Sequence, residues 1–231
     1  MTNHRFPLAS FAIREHPSHK SQLVTEILYG QRFCILEVKE SWKKVKNFTD
    51  GYIGWIEFNH SFLPDELPLF VAQSPNCLIT EKGNIQIYPG AEIHATEASR
   101  LVEPNIEKSL IALAKSYLGT PYLWGGKTKS GIDCSGFIQC LFATKQLNLP
   151  RDAYQQAEIG KTVDFDNLKA GDIAFFKNNL DKITHVGLII ENDSIIHASE
   201  MVRIDKLTKN GIWNDELQKE THHLSHIKRL V

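Results

Sequence analysis

At 231 residues the chain is long enough for one large domain or two small ones. Its 42% hydrophobic and 23% charged residues are ordinary for a soluble globular protein, and 26 basic against 27 acidic residues leave a formal net charge of -1. That balance gives no reason to expect nucleic acid or an anionic membrane as partner. Met1 to Lys20 mixes apolar and polar residues and holds no signal-peptide core, and no later run approaches a membrane-spanning length. A cytoplasmic location is therefore expected. Four cysteines are too few for a disulfide scaffold, and none has the Cys-x-x-Cys spacing of a zinc site. Cys34 and Cys77 sit in apolar, strand-like runs and read as small buried hydrophobes.

The first half reads as β. Phe11 to Arg14, Leu23 to Leu28, Phe33 to Val38, Trp42 to Val45 and Gly54 to Phe58 are short apolar runs between turn-prone stretches. Five such strands in some sixty residues suggest a small barrel. Leu69 to Val71, Cys77 to Thr80 and Ile85 to Tyr88 continue the strand character, with Lys82-Gly83-Asn84 as a hairpin turn. They either extend the barrel or form a connecting subdomain.

Between Ile93 and Asn105 the period changes. From Asn105 to Leu118 apolar residues recur at helical spacing, with Pro104 suited to the start and Gly119 and Pro121 to the stop. A second helix is expected to begin at Cys134, with Phe137, Ile138, Leu141 and Phe142 as its buried stripe. A short helix follows around Asp152 to Ile159. Strands are then expected at Asp172 to Phe176, Val186 to Ile190, Ser194 to Ala198, Met201 to Ile204 and His226 to Val231. Helices followed by an antiparallel sheet make an α+β layout. The domain boundaries that follow are 1–68 for the barrel, 69–98 for extra strands, and 99–231 for the second domain.

Cys134 follows a potential helix cap, Asp133, and opens the apolar stripe of the second helix. A thiol there faces the positive end of the helix dipole, which lowers its pKa and favours the nucleophilic thiolate. His185 and His197 lie on successive strands, twelve residues apart across the Asn192-Asp193 turn. Side by side, His185 would share a proton with Cys134 while His197 holds its ring. The bland alternative is a buried structural cysteine and two satisfied core histidines. Cys140 is a rival nucleophile, but it lies mid-helix, where its sulfur is packed. His16, His19, His60, His222 and His223 read as surface residues.

At these residues the sequence resembles the NlpC/P60 cysteine peptidases of bacterial cell-wall peptide metabolism. The segments are Gly119-Thr120-Pro121-Tyr122-Leu123-Trp124-Gly125-Gly126, Asp133-Cys134-Ser135-Gly136-Phe137, Leu149 to Gln156, Leu168 to Phe176, His185-Val186-Gly187 and Ile196-His197-Ala198. The resemblance implies a papain-like catalytic domain, with Cys134 as nucleophile, His185 as base and His197 as orienting residue. It places Tyr122 near the oxyanion site and needs no cofactor. The first half resembles bacterial SH3-like domains in Leu28-Tyr29-Gly30-Gln31, Ser41 to Val45 and Gly51 to Ile56, with Trp42 and Trp55 expected in the barrel core.

The two-domain combination resembles γ-D-glutamyl-L-diamino-acid endopeptidases that recycle murein peptides. By that likeness Tyr52 and Asp133 hold the free amino terminus of the substrate, with Ser135 and Trp124, inside the matching segments, as further substrate contacts. Arg151 and Asp152 read either as groups that contact the substrate or support those that do, or as members of an internal salt bridge. A small murein peptide is then the partner. An amidase or acyltransferase of the same type, or a murein-peptide-binding module, are the alternatives.

Overall fold

Alternation of apolar and polar residues in the first sixty positions produces seven strands: β1 Asn3–Arg5, β2 Ser10–Arg14, β3 Leu23–Leu28, β4 Arg32–Lys39, β5 Trp42–Asn47, β6 Ile53–Glu57 and β7 Leu63–Pro64. In this computed structural model, which describes residues 3–107 and 109–230, they form one sheet in the order β3-β2-β6-β5-β4-β1-β7. This is the SH3-like barrel that the sequence predicts. Its core is built of Phe6, Ile13, Ile27, Phe33, Val45, Ile56 and Phe58. Trp42 and Trp55 are buried but stand outside that cluster. Trp42 packs on His19 with ring centroids 5.2 Å apart, and Lys44 Nζ lies 5.8 Å from the Trp55 ring. Phenylalanines, with no polar atom to satisfy, fill the centre beside them.

The strands beyond residue 69 do not join the barrel sheet. β8 (Phe70–Val71) pairs with β11 (Glu92–Ile93), and β9 (Asn76–Thr80) pairs with β10 (Gly83–Ile87). They share a second core of Leu28, Tyr29, Ala72, Leu78, Ile87, Ala91 and Ile93. Gly30 makes this close approach possible: at φ +72° it is in the left-handed region, and a Cβ there would sit 1.8 Å from the Glu92 carbonyl oxygen. Cys77, expected to be buried, is half-exposed because β9 and β10 form only a two-stranded ribbon.

The helix expected over Asn105 to Leu118 is shorter, α1 Leu110–Lys115. The Ser109 side chain accepts a hydrogen bond from the Ala112 N–H at 3.2 Å and so fixes the start there, leaving Ile106 62% exposed. Lys108 and Val231, inside the expected helix and final strand, lie outside the described residues. After β12 (Lys127–Thr128) and β13 (Gly131–Ile132) comes α2, Cys134–Ala143, which starts where the sequence predicts. Its Phe137 meets the Tyr117 ring edge-on, with centroids 5.5 Å apart. The short helix α3 is Ala153–Gln156.

The remaining strands are β14 Lys161–Val163, β15 Ile173–Lys177, β16 Ile183–Glu191, β17 Ser194–Ser199, β18 Met201–Leu207, β19 Gly211–Asn214 and β20 Lys219–Arg229. They run antiparallel in the order β14-β20-β15-β16-β17-β18-β19, and β19 also pairs with the first part of β20. The sheet therefore closes on itself. One face gathers Ala174, Phe176, Ile189, Ile195, Leu207 and Ile227 into a core. The α+β, papain-like class holds, with far more strand than helix.

By internal packing the chain divides into two units. One takes Met1–Lys108, Trp124–Thr128 and Cys140–Leu149; the other takes Ser109–Leu123, Lys129–Gln139 and Pro150–Val231.

Candidate active site

In the second unit, strand register brings the histidines together. Gly187 on β16 stands opposite His197 on β17, and His185 lies two residues before Gly187, on the same face. A Cβ on Gly187 would come within 2.9 Å of the His197 Cβ and 2.8 Å of the Ile195 side chain, so glycine suits the position opposite His197. His185 Nε2 and His197 Nδ1 are 2.9 Å apart, and the rings meet edge-on at 84°. His197 stands opposite Arg203 on β18, and Asp205 follows two residues on. His197 Nε2 lies 2.9 Å from Asp205 Oδ2. Arg203 Nη2 donates to Asp205 Oδ1 at 2.9 Å, and its Nε is 2.7 Å from Oδ2.

This polar run occupies the face that carries the apolar core, which explains its burial: His185 is 6% exposed, His197 1% and Asp205 9%. Burial, then the nearby His197 and His222, hold His185 well below its ordinary pKa of 6.5. Burial also depresses His197, although its bond to Asp205 opposes the shift. For Asp205, burial pushes upward, but hydrogen bonds from His197 and Arg203 outweigh it and hold the carboxyl below its usual value. His185 is therefore an uncharged imidazole near neutrality.

Cys134 opens α2. Asp133 caps the helix, its carboxylate accepting from Gly136 N–H at 2.7 Å and its carbonyl from Phe137 N–H at 2.9 Å. The thiol is buried, and burial followed by the Asp133 charge pushes its pKa up to about 12. Arg151 and backbone N–H bonds from Ser135 and Val186 pull the other way without prevailing. A helix start alone lowers a thiol's pKa, whereas burial pushes that of Cys134 the other way. The Val186 bond sets the sulfur beside the strand that bears His185. Cys140 is only 1% exposed, and its Sγ donates to the Lys127 carbonyl at 3.3 Å, as a packed structural cysteine would.

Asp133 and Arg151 form a buried ion pair. Arg151 Nη1 donates to Oδ1 at 3.0 Å, Nη2 to Oδ2, and Nη1 also to Ser135 Oγ at 2.8 Å. Ser135 Oγ in turn donates to Asp133 Oδ1 at 3.3 Å. Three of the sequence-predicted substrate residues thus form one polar cluster beside the thiol. Asp152 has a different task, forming a capping box with Gln155 at the start of α3. Tyr122 is half-buried. Burial, then the charges of Cys134 and Asp133, push its phenol pKa upward, so the hydroxyl remains a proton donor. Tyr52 and Trp124 belong to the other unit, Tyr52 half-buried and Trp124 58% exposed.

Three participants escaped the sequence reading. Asp205 and Arg203 sit on a strand whose outward residue is Ile204, 40% exposed, while the charged pair points inward. That inversion of the usual apolar-in pattern shows only once the strand is paired with β17, so no local signal marks them. His222, expected at the surface, instead stacks on His185, with centroids 4.2 Å apart and planes at 28°. β20 pairs along its length with β19 and β15 and so carries His222 inward.

Residues 119–222 match the NlpC/P60 family, and residues 13–60 match the bacterial dipeptidyl-peptidase SH3 domain. The chain carries an NlpC/P60 domain. Over 115 residues it is 42% identical to a gamma-D-glutamyl-L-lysine dipeptidyl-peptidase of Bacillus subtilis (strain 168), covering 48% of this chain and 38% of that protein. Over 239 residues it is 25% identical to the protein of the same name from Bacillus cereus (strain ATCC 10987), covering 80% and 70%. The NlpC/P60 domain is also 45% identical over 101 residues to a probable endopeptidase NlpC of Escherichia coli (strain K12), with 43% and 66% covered. The match therefore spans well under half of the B. subtilis relative. A crystal structure of an NlpC/P60 family protein from B. cereus ATCC 10987 superposes with a TM-score of 0.73 over 99% of each chain, at 18% identity. The fold is shared from end to end.

Proposed function

We propose that the chain is a cysteine peptidase of peptidoglycan peptides, hydrolysing the γ-D-glutamyl bond to a diamino acid in fragments with a free N-terminal L-Ala. The observation that carries this reading is the run from His185 through His197 to Asp205, beside a thiol at the start of a helix. A neutral imidazole in that position accepts the thiol proton as Cys134 Sγ attacks the γ-carbonyl carbon. The S–C bond forms and the carbonyl electron pair moves to oxygen, with the Tyr122 hydroxyl as a donor on that side. Collapse breaks the C–N bond, and the leaving amine takes its proton back from His185. Water, deprotonated by His185, then cleaves the thioester and returns the thiol.

Burial pushes the Cys134 thiol up and holds His185 well below 6.5, so in this reading proton transfer to the imidazole accompanies the attack. The choice of substrate is supported by the names of the B. subtilis and B. cereus relatives and by the matched dipeptidyl-peptidase SH3 domain. In this reading Asp133 presents a fixed negative charge to the substrate ammonium, with Arg151 and Ser135 holding the carboxylate in place. A fragment-processing role suits a cytoplasmic enzyme.

The test is mass spectrometry of products from L-Ala-γ-D-Glu-diamino-acid tripeptides with free and with acetylated amino termini. The free peptide should yield L-Ala-D-Glu and the diamino acid. The acetylated one should turn over roughly ten- to a hundredfold more slowly, the loss of one charge-assisted hydrogen bond. Equal turnover of the two refutes the substrate assignment, and no turnover of either refutes the activity.

A further inference from the structure

Asp205 and Arg203 form a polar group that the reaction above does not itself use, yet both are tied into the histidine pair. An ionised carboxylate has lone pairs only, so at 2.9 Å from Asp205 Oδ2 the His197 Nε2 must carry the proton and donate it. A neutral imidazole holds one N–H, which leaves His197 Nδ1 as an acceptor. Its partner at 2.9 Å, His185 Nε2, must then be the donor. That leaves the lone pair of His185 on Nδ1. The direction of every hydrogen bond in the run is dictated from its far end.

Arg203 makes that end reliable. Its guanidinium spans both carboxylate oxygens, with Nη2 on Oδ1 at 2.9 Å and Nε 2.7 Å from Oδ2. A protonated Asp205 would set a hydroxyl against one of those cationic donors, so the pair keeps Asp205 ionised and acceptor-only. Glu216 lies 3.9 Å from Arg203 Nη1, a second anion that keeps the guanidinium in place.

We propose that Asp205, fixed by Arg203, is a positioning residue that sets the tautomer of His197 and through it makes His185 Nδ1 the base. The inference rests on the peptidase reading for its kinetic consequence alone, since the proton arrangement is a property of the resting protein. Asp205 acts on the reacting groups through His197. A wrong tautomer places an N–H where the Cys134 proton must arrive, and loss of the corresponding carboxylate in serine proteases costs about 10⁴-fold in kcat.

The experiment has two readouts. The first is nitrogen-15 NMR of histidine-labelled, substrate-free protein at neutral pH, assigned with His185→Gln and His197→Gln. Both rings should be protonated at Nε2 and bare at Nδ1. A His185 ring protonated at Nδ1 overturns the proposal, whether or not the protein cleaves any peptide. Conversely, expected tautomers in a protein that cleaves nothing would fault the peptidase reading and leave the proton arrangement standing.

The second readout is kinetic. Asp205→Ala should lower kcat by roughly 10²–10⁴-fold with KM changed less than about threefold, and added formate should restore part of kcat by refilling the carboxylate position. A purely structural role predicts no formate rescue. Arg203→Met, which keeps the Asp205–His197 bond, should retain the wild-type tautomers and lose less than tenfold in kcat. Wild-type kcat in a folded Asp205→Ala protein overturns the proposal, as does failure of the formate rescue.

Discussion

Removing Arg151 should destabilise the second unit more than any other single change at its polar cluster. The side chain is 2% exposed and engages both oxygens of Asp133, itself 5% exposed. Arg151→Met keeps the volume and the apolar stem but strands a buried carboxylate beside a buried thiol. Breaking such a pair from one side costs about 3–5 kcal/mol, because the buried charge loses its cationic partner and keeps hydrogen bonds such as those from Gly136 and Ser135 instead. Ser135 Oγ loses its donor in the same step.

Asp133→Asn combined with Arg151→Met removes both charges and should recover most of the loss. The residual deficit should be about 1–2 kcal/mol, from weaker capping at Gly136. Pulse labelling of thiols in urea, read by mass spectrometry, reports the unfolding that exposes Cys134 and gives all four corners of the cycle. A deficit below about 1 kcal/mol for Arg151→Met would refute the reasoning, as would a double variant no more stable than the single. In the folded Arg151→Met protein Cys134 should also react more slowly with iodoacetamide, because Arg151 is the charge that favours its thiolate.

Cys134→Ala should abolish single-turnover hydrolysis while Cys140→Ala keeps most of it, and an active Cys134→Ala protein would end the assignment. With His185 held well below 6.5, kcat/KM should stay level as pH falls through 6.5 and decline only below it; an acid limb at 6.5 or above would contradict this. Burial, then nearby His197, lowers His222 to about 4, so the unfolded state takes up its proton first as pH falls. Stability should drop between 6.5 and 4, by roughly 2–3 kcal/mol from this group, and His222→Phe should remove that share in urea melts compared at pH 7 and pH 4. An unchanged acid loss would show that His222 is not buried against the histidine pair.

The sequence revealed the thiol, the two histidines and the helix that begins at Cys134, because each sits in a local pattern. His185 and His197 stand on neighbouring apolar strands, and Asp133 precedes a helical stripe. Asp205 was hidden because strand β18 reads Val202, Ile204 as its inner face until Arg203 and Asp205 are seen pointing inward. Only cross-strand register reveals that, and register is a tertiary property. His222 was hidden for a similar reason: its own segment is polar, and what buries it is pairing with β19 and β15. The raised pKa of Cys134 was likewise out of reach, since burial is invisible in a motif while a helix start is not. In the barrel, the predicted strands appeared close to their expected bounds and the two tryptophans are buried as expected, beside a cluster that includes Phe6, Phe33 and Phe58.

During turnover Cys134 should form a thioester with the γ-glutamyl carbonyl. Rapid-quench mass spectrometry of the intact protein with a free-amino tripeptide, followed by peptide mapping, tests it directly. The expected result is a transient adduct on Cys134 with the mass of L-Ala-D-Glu less one water, absent from Cys134→Ala. Product release with no adduct at any time point, or an adduct on Cys140, would contradict it.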